Sequence, residues 1–397
     1  MSTRQGRARI DRWRTASEVL SELRRSPGLT RVELARRLSL ASASSTEVTA
    51  RLRAVGWLVE RRAPSGGRGR PTSVLTPDPR GPVVVAIDLR HEDWRCALAG
   101  LDGQCTIVGG GRHLRRDPET VVEALCAAVG ELVVRHAGRV VAVGVAVAGT
   151  VMEERLVQAA SLGWEAVDLQ RITAPHGVPI MLGNDATLAG VAEARTGAAG
   201  DARSALYLTV EVGVGGALII EGRPYTGGHG AAGEYGHLPF GDPDRCCPCG
   251  ARGCWGLEVD GRALARHLGE PEPADPRSHA AAVLDWAVAE GDAAARRAIV
   301  LVARSLGRGV AGLVNAHDPD VVVLGGLGVA LRSAAGDAFR AAYRDGLMAF
   351  HRRRPPPVVD PAHGDDAALR GAAALALDYA ISPDALAALA DRQGQEP

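Results

Sequence analysis

The sequence predicts an α/β body behind a small, basic, helical head with a winged helix-turn-helix pattern. Three observations predict it. Apolar runs of strand length recur through the body, at Val83 to Asp88, Val140 to Ala148, Val178 to Leu182, Ala205 to Val210 and Val321 to Leu324. A strand, a helix over about Pro118 to Ala137 and a further strand follow in that order, which points to a parallel element. Finally, charge is divided: residues 1–80 hold 17 Arg against 7 Asp plus Glu, a balance of +10, so the rest of a chain with zero net charge carries −10. A basic head on an acidic body implies that the head alone meets a polyanion. At 397 residues the chain exceeds one ordinary core and predicts two or three domains. Every basic residue is arginine, a bias from which no mechanism follows.

The head reads as three helices and a wing. Ala16 to Arg25 places Val19, Leu20 and Leu23 at helical spacing, and Pro27-Gly28 stops it. Thr30-Arg31-Val32-Glu33 is a capping box, in which Thr30 and Glu33 satisfy free backbone donors, and Leu34 and Leu38 supply the apolar face. After a turn at Ser39-Leu40, Ser42 to Val55 predicts a third helix, with Val48, Leu52 and Val55 inward and Ser42, Ser44, Thr46 and Glu47 outward. That spacing fits a helix-turn-helix whose third helix reads DNA. Its small side chains can hold phosphates or bases, whereas Glu47 repels phosphate unless it accepts from a cytosine amino group. Two short strands, Trp57 to Arg62 and Thr72 to Leu75, flank a glycine-rich loop bearing Arg68 and Arg70. Arginines on such a loop fit a narrow minor groove. The plainer reading is a flexible basic linker.

In the body, Val83 to Asp88 is a buried strand paired with Cys96 to Leu101, and Asp88-Leu89-Arg90-His91-Glu92 lies between them. Val140 to Ala148 ends at Gly149. Val178 to Leu182 delivers Gly183-Asn184-Asp185 at its C-terminal end, where α/β folds place ligands. An Asn-Asp pair ahead of a helix is also an ordinary N-cap. Ala205 to Val210 and Ala217 to Ile220 predict a hairpin around the glycine-rich turn Glu211 to Gly216. A helix near Ala293 to Ala316, the strand ending at Gly325-Gly326, a helix ended by Pro355-Pro356-Pro357 and an apolar helix Leu369 to Tyr379 complete the body. Beyond Ser382 the chain is expected to fray. No run of eighteen apolar residues occurs and the N-terminus lacks an apolar core, so the expectation is a cytoplasmic protein with no membrane partner.

The most specific stretch runs from Gly233 to Cys254. Four of the seven cysteines fall within nine residues, a density that argues for a metal site rather than disulfides. Cys247 and Cys249 share a tight turn, Gly250 and Gly253 let the backbone fold back, and Cys254 and His237 close a tetrahedron. Three thiolates and one imidazole make a closed, structural zinc site without a position for catalytic water. The alternatives are a redox pair or a loop of buried thiols. Cys246 is an extra thiol able to exchange with Cys247.

The order Glu-x-Gly-His, nine residues, Cys-x-Cys-Gly-x-x-Gly-Cys, from Glu234 to Cys254, resembles the signature of the ROK family of repressors, sugar kinases and open reading frames. The resemblance implies a two-lobed, actin- and hexokinase-like (ribonuclease H-like) body behind the winged head, similar to xylose repressors. Implied limits are 1–80 for the head, 82–187 for a first lobe completed by a helix at about 360–381, and 188–359 for the second lobe. It implies zinc on His237, Cys247, Cys249 and Cys254, and a sugar against Gly149, Asn184, Asp185, Glu234 and His237. Asp185 matches the kinases' general base. Departures are Gly256, where the family has a glutamate with Glu258 out of register, Ser161 in place of asparagine, and Ala148 in place of proline. Two phosphate loops also depart. Asp88 to Glu92 lacks the family's glycines, and Glu211 stands where kinases have glycine, its charge opposing polyphosphate.

The expected function is therefore a repressor of carbohydrate-related genes that binds a palindromic double-stranded operator as a homodimer or homotetramer and responds to a sugar or sugar-like effector. It is expected not to be an enzyme, with Asp185 a vestigial base. The alternatives are a sugar kinase using Asp185 and ATP, and a DNA-binding regulator without effector, for which Gly256 and Ser161 remove two polar contacts.

Overall fold

The computed structural model describes residues 2–62, 73–113, 117–159, 162–392 and 394. Arg68, Arg70 and Ser161 lie outside the described residues. The head comprises α1 (Ser2–Arg25), α2 (Arg31–Arg37), α3 (Ser42–Ala54) and the antiparallel strands β1 (Leu58–Arg62) and β2 (Ser73–Pro77). α1 starts well before Ala16, because Trp13 continues the buried stripe of Ala16, Leu20 and Leu23 by one turn. The capping box of α2 forms as read. The Glu33 amide donates to Thr30 Oγ1 at 3.2 Å and the Thr30 amide to Glu33 Oε2 at 2.8 Å. Donation to Glu33 Oε2 from the Thr30 amide and from the Thr30 hydroxyl, each at 2.8 Å, holds the Glu33 carboxyl below its usual range.

The chain forms two compact units: Met1–Ala146 with Asp168–Leu182 and Ala372–Pro397, and Val147–Val167 with Gly183–Gly371. The head thus clusters with the first α/β layer. The reason lies in long-range ties. Arg139 donates to the carbonyls of Gly81 and Pro79, both at 2.9 Å, and Arg24 pairs with Asp378 at 2.7 Å.

The first unit holds β3 (Val83–Leu89), β4 (Asp93–Ala99), β5 (Cys105–Arg112), α4 (Pro118–Arg135), β6 (Val140–Val147) and the start of β9 (Ile180–Asn184), in the sheet order β5-β4-β3-β6-β9. The hairpin β7 (Thr150–Met152) and β8 (Arg155–Gln158) belongs to the second unit, with α5 (Asp185–Thr196), β10 (Ser204–Glu211), β11 (Gly213–Ile220) and β12 (Arg223–Pro224). There follow α6 (Gly261–Leu268), α7 (Pro276–Asp285), α8 (Ala293–His317), β13 (Val321–Gly326), α9 (Leu327–Ala334), α10 (Gly336–Gly346), α11 (Ala349–Arg353) and β14 (Val358–Val359). Its sheet order, β12-β11-β10-β13-β14, repeats the pattern of the first sheet, so the two layers are built alike. α8 has the length and mean hydropathy of a membrane span, yet Val302, Leu306, Val310 and Leu313 are buried in the second unit's core.

Two expectations change. The glycine-rich stretch after Glu211 is strand rather than turn, because Glu211 pairs with Gly213 and only Val212 caps the hairpin. Among the described residues, the chain beyond Ser382 is helix rather than frayed. α12 (Ala367–Ala380) leads into α13 (Pro383–Arg392), which packs on α1 with Leu386, Ala387, Leu389 and Ala390 buried. α12 itself begins in the second unit and ends in the first. A Cβ on Gly371 would lie 2.1 Å from the Leu188 carbonyl of α5, and one on Gly144 of β6 would lie 2.1 Å from the Ala372 carbonyl. Both glycines are needed for backbone to meet backbone.

Candidate functional site

His237, Cys247, Cys249 and Cys254 each offer one ligand atom, and all four atoms lie within 4.8 Å of one another. Cys249 Sγ is 3.7 Å from Cys254 Sγ, and Cys247 Sγ is 3.7 Å from His237 Nδ1. Tetrahedral zinc with Zn–S bonds of about 2.3 Å sets neighbouring sulfurs roughly 3.8 Å apart, so the spacing fits that ion. Burial pushes the Cys254 thiol up to about 12, and Cys247 and Cys249 push it the same way. Thiols this close ionise together only around a cation. The turn depends on Gly250 at φ +92 and Gly253 at φ +69, where a side chain is strained. Cys246 bridges to Arg252 and stands outside the cluster.

Both ends of the loop are pinned to α8. Trp255 is buried and donates from Nε1 to the Ser305 carbonyl at 3.2 Å. A Cβ on Gly309 would lie 2.0 Å from its ring, and one on Gly312 would lie 3.2 Å from Phe240. Gly309→Ala therefore expels Trp255 from its seat. The expected cost is about 3 kcal/mol, read as a lower midpoint in urea with reduced bound zinc; an unchanged midpoint would refute this anchoring.

The sugar-facing candidates form a connected set within the second unit. Asn184 caps α5 by accepting from the Thr187 amide at 2.9 Å, and its Nδ2 donates to the Gly149 carbonyl at 3.1 Å. The N-cap and ligand readings are thus compatible. Asp185 follows at the first turn of α5, half-buried, accepting from the Ala186 amide at 2.8 Å. Thr150, next to Gly149, donates to Glu234 Oε1 at 3.4 Å. Glu234 Oε2 lies 3.9 Å from His237 Nε2, while Nδ1 of that ring faces the cysteines. One imidazole thus lies between the Cys cluster and the carboxylate, which at 3.9 Å is a neighbour rather than a hydrogen-bond partner. Gly233 and Gly236 permit this, since a Cβ on either would lie 2.3 or 2.5 Å from the Gly216 or Val214 carbonyl of β11.

Residues 84–379 match the ROK family. The chain belongs to that family. A glucokinase of Streptomyces coelicolor is 30% identical over 284 residues, covering 67% of this chain and 88% of its own. A putative xylose repressor of a Caldicellulosiruptor species is 26% identical over 314 residues, covering 75% and 79%. Among solved structures, a ROK family transcriptional regulator, homologue of the E. coli MLC protein, aligns with TM-score 0.78 at 23% identity over 96% of this chain and 99% of its own. A ROK glucokinase from Streptomyces griseus, solved with glucose and AMPPNP, aligns with TM-score 0.63 at 27% identity over 74% and 99%. At 96% of the chain, the regulator's fold takes in most of the head as well as the body.

In this ROK chain the turns that follow β3 and β10 carry the protein's own ion pairs. Asp88 is buried, and its Oδ2 accepts from Arg90 Nε at 2.7 Å and Arg95 Nη2 at 3.1 Å. Two arginines thus neutralise Asp88. At the other turn, Glu211 Oε2 pairs with Arg277 Nε at 3.4 Å, and a Cβ built on Gly326 would lie 2.7 Å from Glu211 Oε1. The carboxylate thus covers the Gly325-Gly326 turn that opens α9. Gly256 is tight as well, because its Cβ would sit 3.3 Å from Gly213, Val214 and Gly236 backbone. Glu258 is turned to Arg245 and Arg266, at 3.3 and 3.2 Å.

On the head, Ser42, Ser44, Thr46 and Glu47 all lie exposed on α3, while Val48 and Leu52 are buried. The Thr46 hydroxyl donates to the Ser42 carbonyl at 2.9 Å, so it is turned onto its own helix. Sequence reasoning missed Thr150, Arg277 and Arg95. Thr150 had a signal, being the polar residue after Gly149. The two arginines had none, because their partners are distant in sequence or across a hairpin.

Proposed function

We propose that this chain is a DNA-binding transcriptional repressor of carbohydrate-related genes whose zinc-held loop presents Glu234 and His237 to a sugar or sugar-like effector. One contrast carries the reading. The Asn184, Gly149, Thr150, Glu234 and His237 network is intact, whereas the turns that would cradle nucleotide phosphates are covered by Glu211–Arg277 and built around Asp88 with Arg90 and Arg95. A carboxylate at the opening of a helix repels the anion that such a turn otherwise attracts. The xylose-repressor relatives and the head support the DNA-binding half. His237, Cys247, Cys249 and Cys254 would hold the zinc, whose part is to fix the loop.

The effector signal has a physical route. Asn184 and Asp185 open α5, Leu188 of that helix rests on Gly371 of α12, and α12 ends with Asp378 on Arg24 and leads to α13 on α1. The heads of a dimer would shift against palindromic half-sites by no more than the effector's differential affinity for the two states allows.

Selection of bound sequences from random DNA with the purified protein, repeated with a pool of sugars, tests the reading. A palindromic site that weakens with one sugar supports it. A site indifferent to every sugar favours a regulator without effector. Glu234→Gln is expected to abolish the sugar's thermal shift, a loss of about 1–3 kcal/mol of binding, with the DNA site unchanged; an undiminished shift places the sugar elsewhere. The 30% identity to a glucokinase supports a second reading, phosphorylation with Asp185 as base. Labelled ATP with a panel of hexoses decides between them, and transfer lost in Asp185→Asn establishes the kinase.

A further inference from the structure

We infer that Glu47 recognises a cytosine in the major groove, with Arg51 and Trp13 as its positioning residues; the inference rests on the DNA-binding reading above. Ala43, Glu47 and Ala50 form one exposed stripe of α3 at i, i+4 and i+7 spacing. Glu47 is the stripe's one hydrogen-bonding side chain, and its side chain is 72% exposed. Its Oε1 accepts from Arg51 Nη2 at 2.7 Å. A pair of this kind on a helix surface is ordinarily loose. Here the arginine is clamped. Its guanidinium carbon lies 5.5 Å from the centroid of the buried Trp13 ring, and its Nη1 donates to the Arg12 carbonyl at 2.8 Å. Arg51 is therefore only 19% exposed and presents a fixed donor to Glu47.

A held carboxylate on a reader helix has one good match among the bases. Ionised glutamate only accepts hydrogen bonds. Guanine offers two acceptors in the major groove, thymine an acceptor and a methyl, and adenine a donor beside an acceptor that repels the carboxylate. Cytosine alone presents a donor without an acceptor. Arg51 also offsets the charge that would push Glu47 from the phosphates, and the flanking alanines leave room for a base edge or a thymine methyl.

The test is random-DNA selection with the full-length, zinc-loaded protein and its variants Glu47→Gln and Arg51→Met. The wild type is expected to enrich cytosine at one position of each half-site by about tenfold or more. Glu47→Gln should move that position to adenine, which glutamine bonds at N6 and N7, and leave the others unchanged. Arg51→Met should blur the same position alone, which a merely structural arginine would not do. An unchanged base preference in Glu47→Gln overturns the inference while the DNA-binding reading stands, whatever Arg51→Met does to folding. Absence of any enriched site in the wild type overturns both.

Discussion

Cys249→Ser is expected to lose its zinc and with it every response to sugar, while the head still binds DNA. Structural zinc contributes on the order of 10 kcal/mol to the folds it closes, and a hydroxyl is a poor replacement for a thiolate. The loss should be local. Trp255 and Phe240 are seated on α8 at Gly309 and Gly312, so the loosening is expected in the cysteine loop between those two anchors and, through the His237 ligand, in the stretch from Gly233 that bears Glu234 and His237. The head belongs to the other compact unit, so its fold is expected to persist without the metal. Metal analysis, thermal shift with sugar and DNA affinity without sugar give three separate readouts. Full zinc in the variant would remove Cys249 from the ligand set.

Leu386→Asp is expected to release α13 from α1 and weaken operator binding by tenfold or more. Leu386 is fully buried in the C-terminal helix that packs on α1. Truncating a buried leucine to alanine costs about 2–5 kcal/mol, and an ionised carboxylate adds a desolvation penalty, so the helix leaves rather than bury it. The Arg24–Asp378 bridge cannot hold it, since side chains 17% and 42% exposed form a surface pair worth at most about 1 kcal/mol. Hydrogen exchange along α1 and α13 reports the undocking, and a titration with the selected operator reports the affinity. Faster exchange with unchanged affinity would show that α13 does not position the reader.

Much of the site was legible from the chain because its chemistry is local. Cys247, Cys249 and Cys254 occupy eight residues with the glycines that turn them, so spacing alone closes most of the metal cluster, and His237 was found by motif order. The Thr30–Glu33 box, the inward set of α3 and the Asn184 cap were equally legible, since each is decided within four or so residues by backbone donors and helical periodicity.

The sequence by itself determined the ROK-type body, the metal loop, the candidate sugar ligands and a basic helical head. Only the tertiary structure decided that α13 is an ordered prop for α1, that Arg95 and Arg90 neutralise Asp88, that Glu211 covers the Gly326 turn, that Thr150 meets Glu234 and that Trp13 clamps Arg51. The physical reason is range. Caps, turns and ligand clusters draw on neighbours along the chain, whereas ion pairs and docking faces depend on where distant segments return, and that is fixed by packing of the whole core.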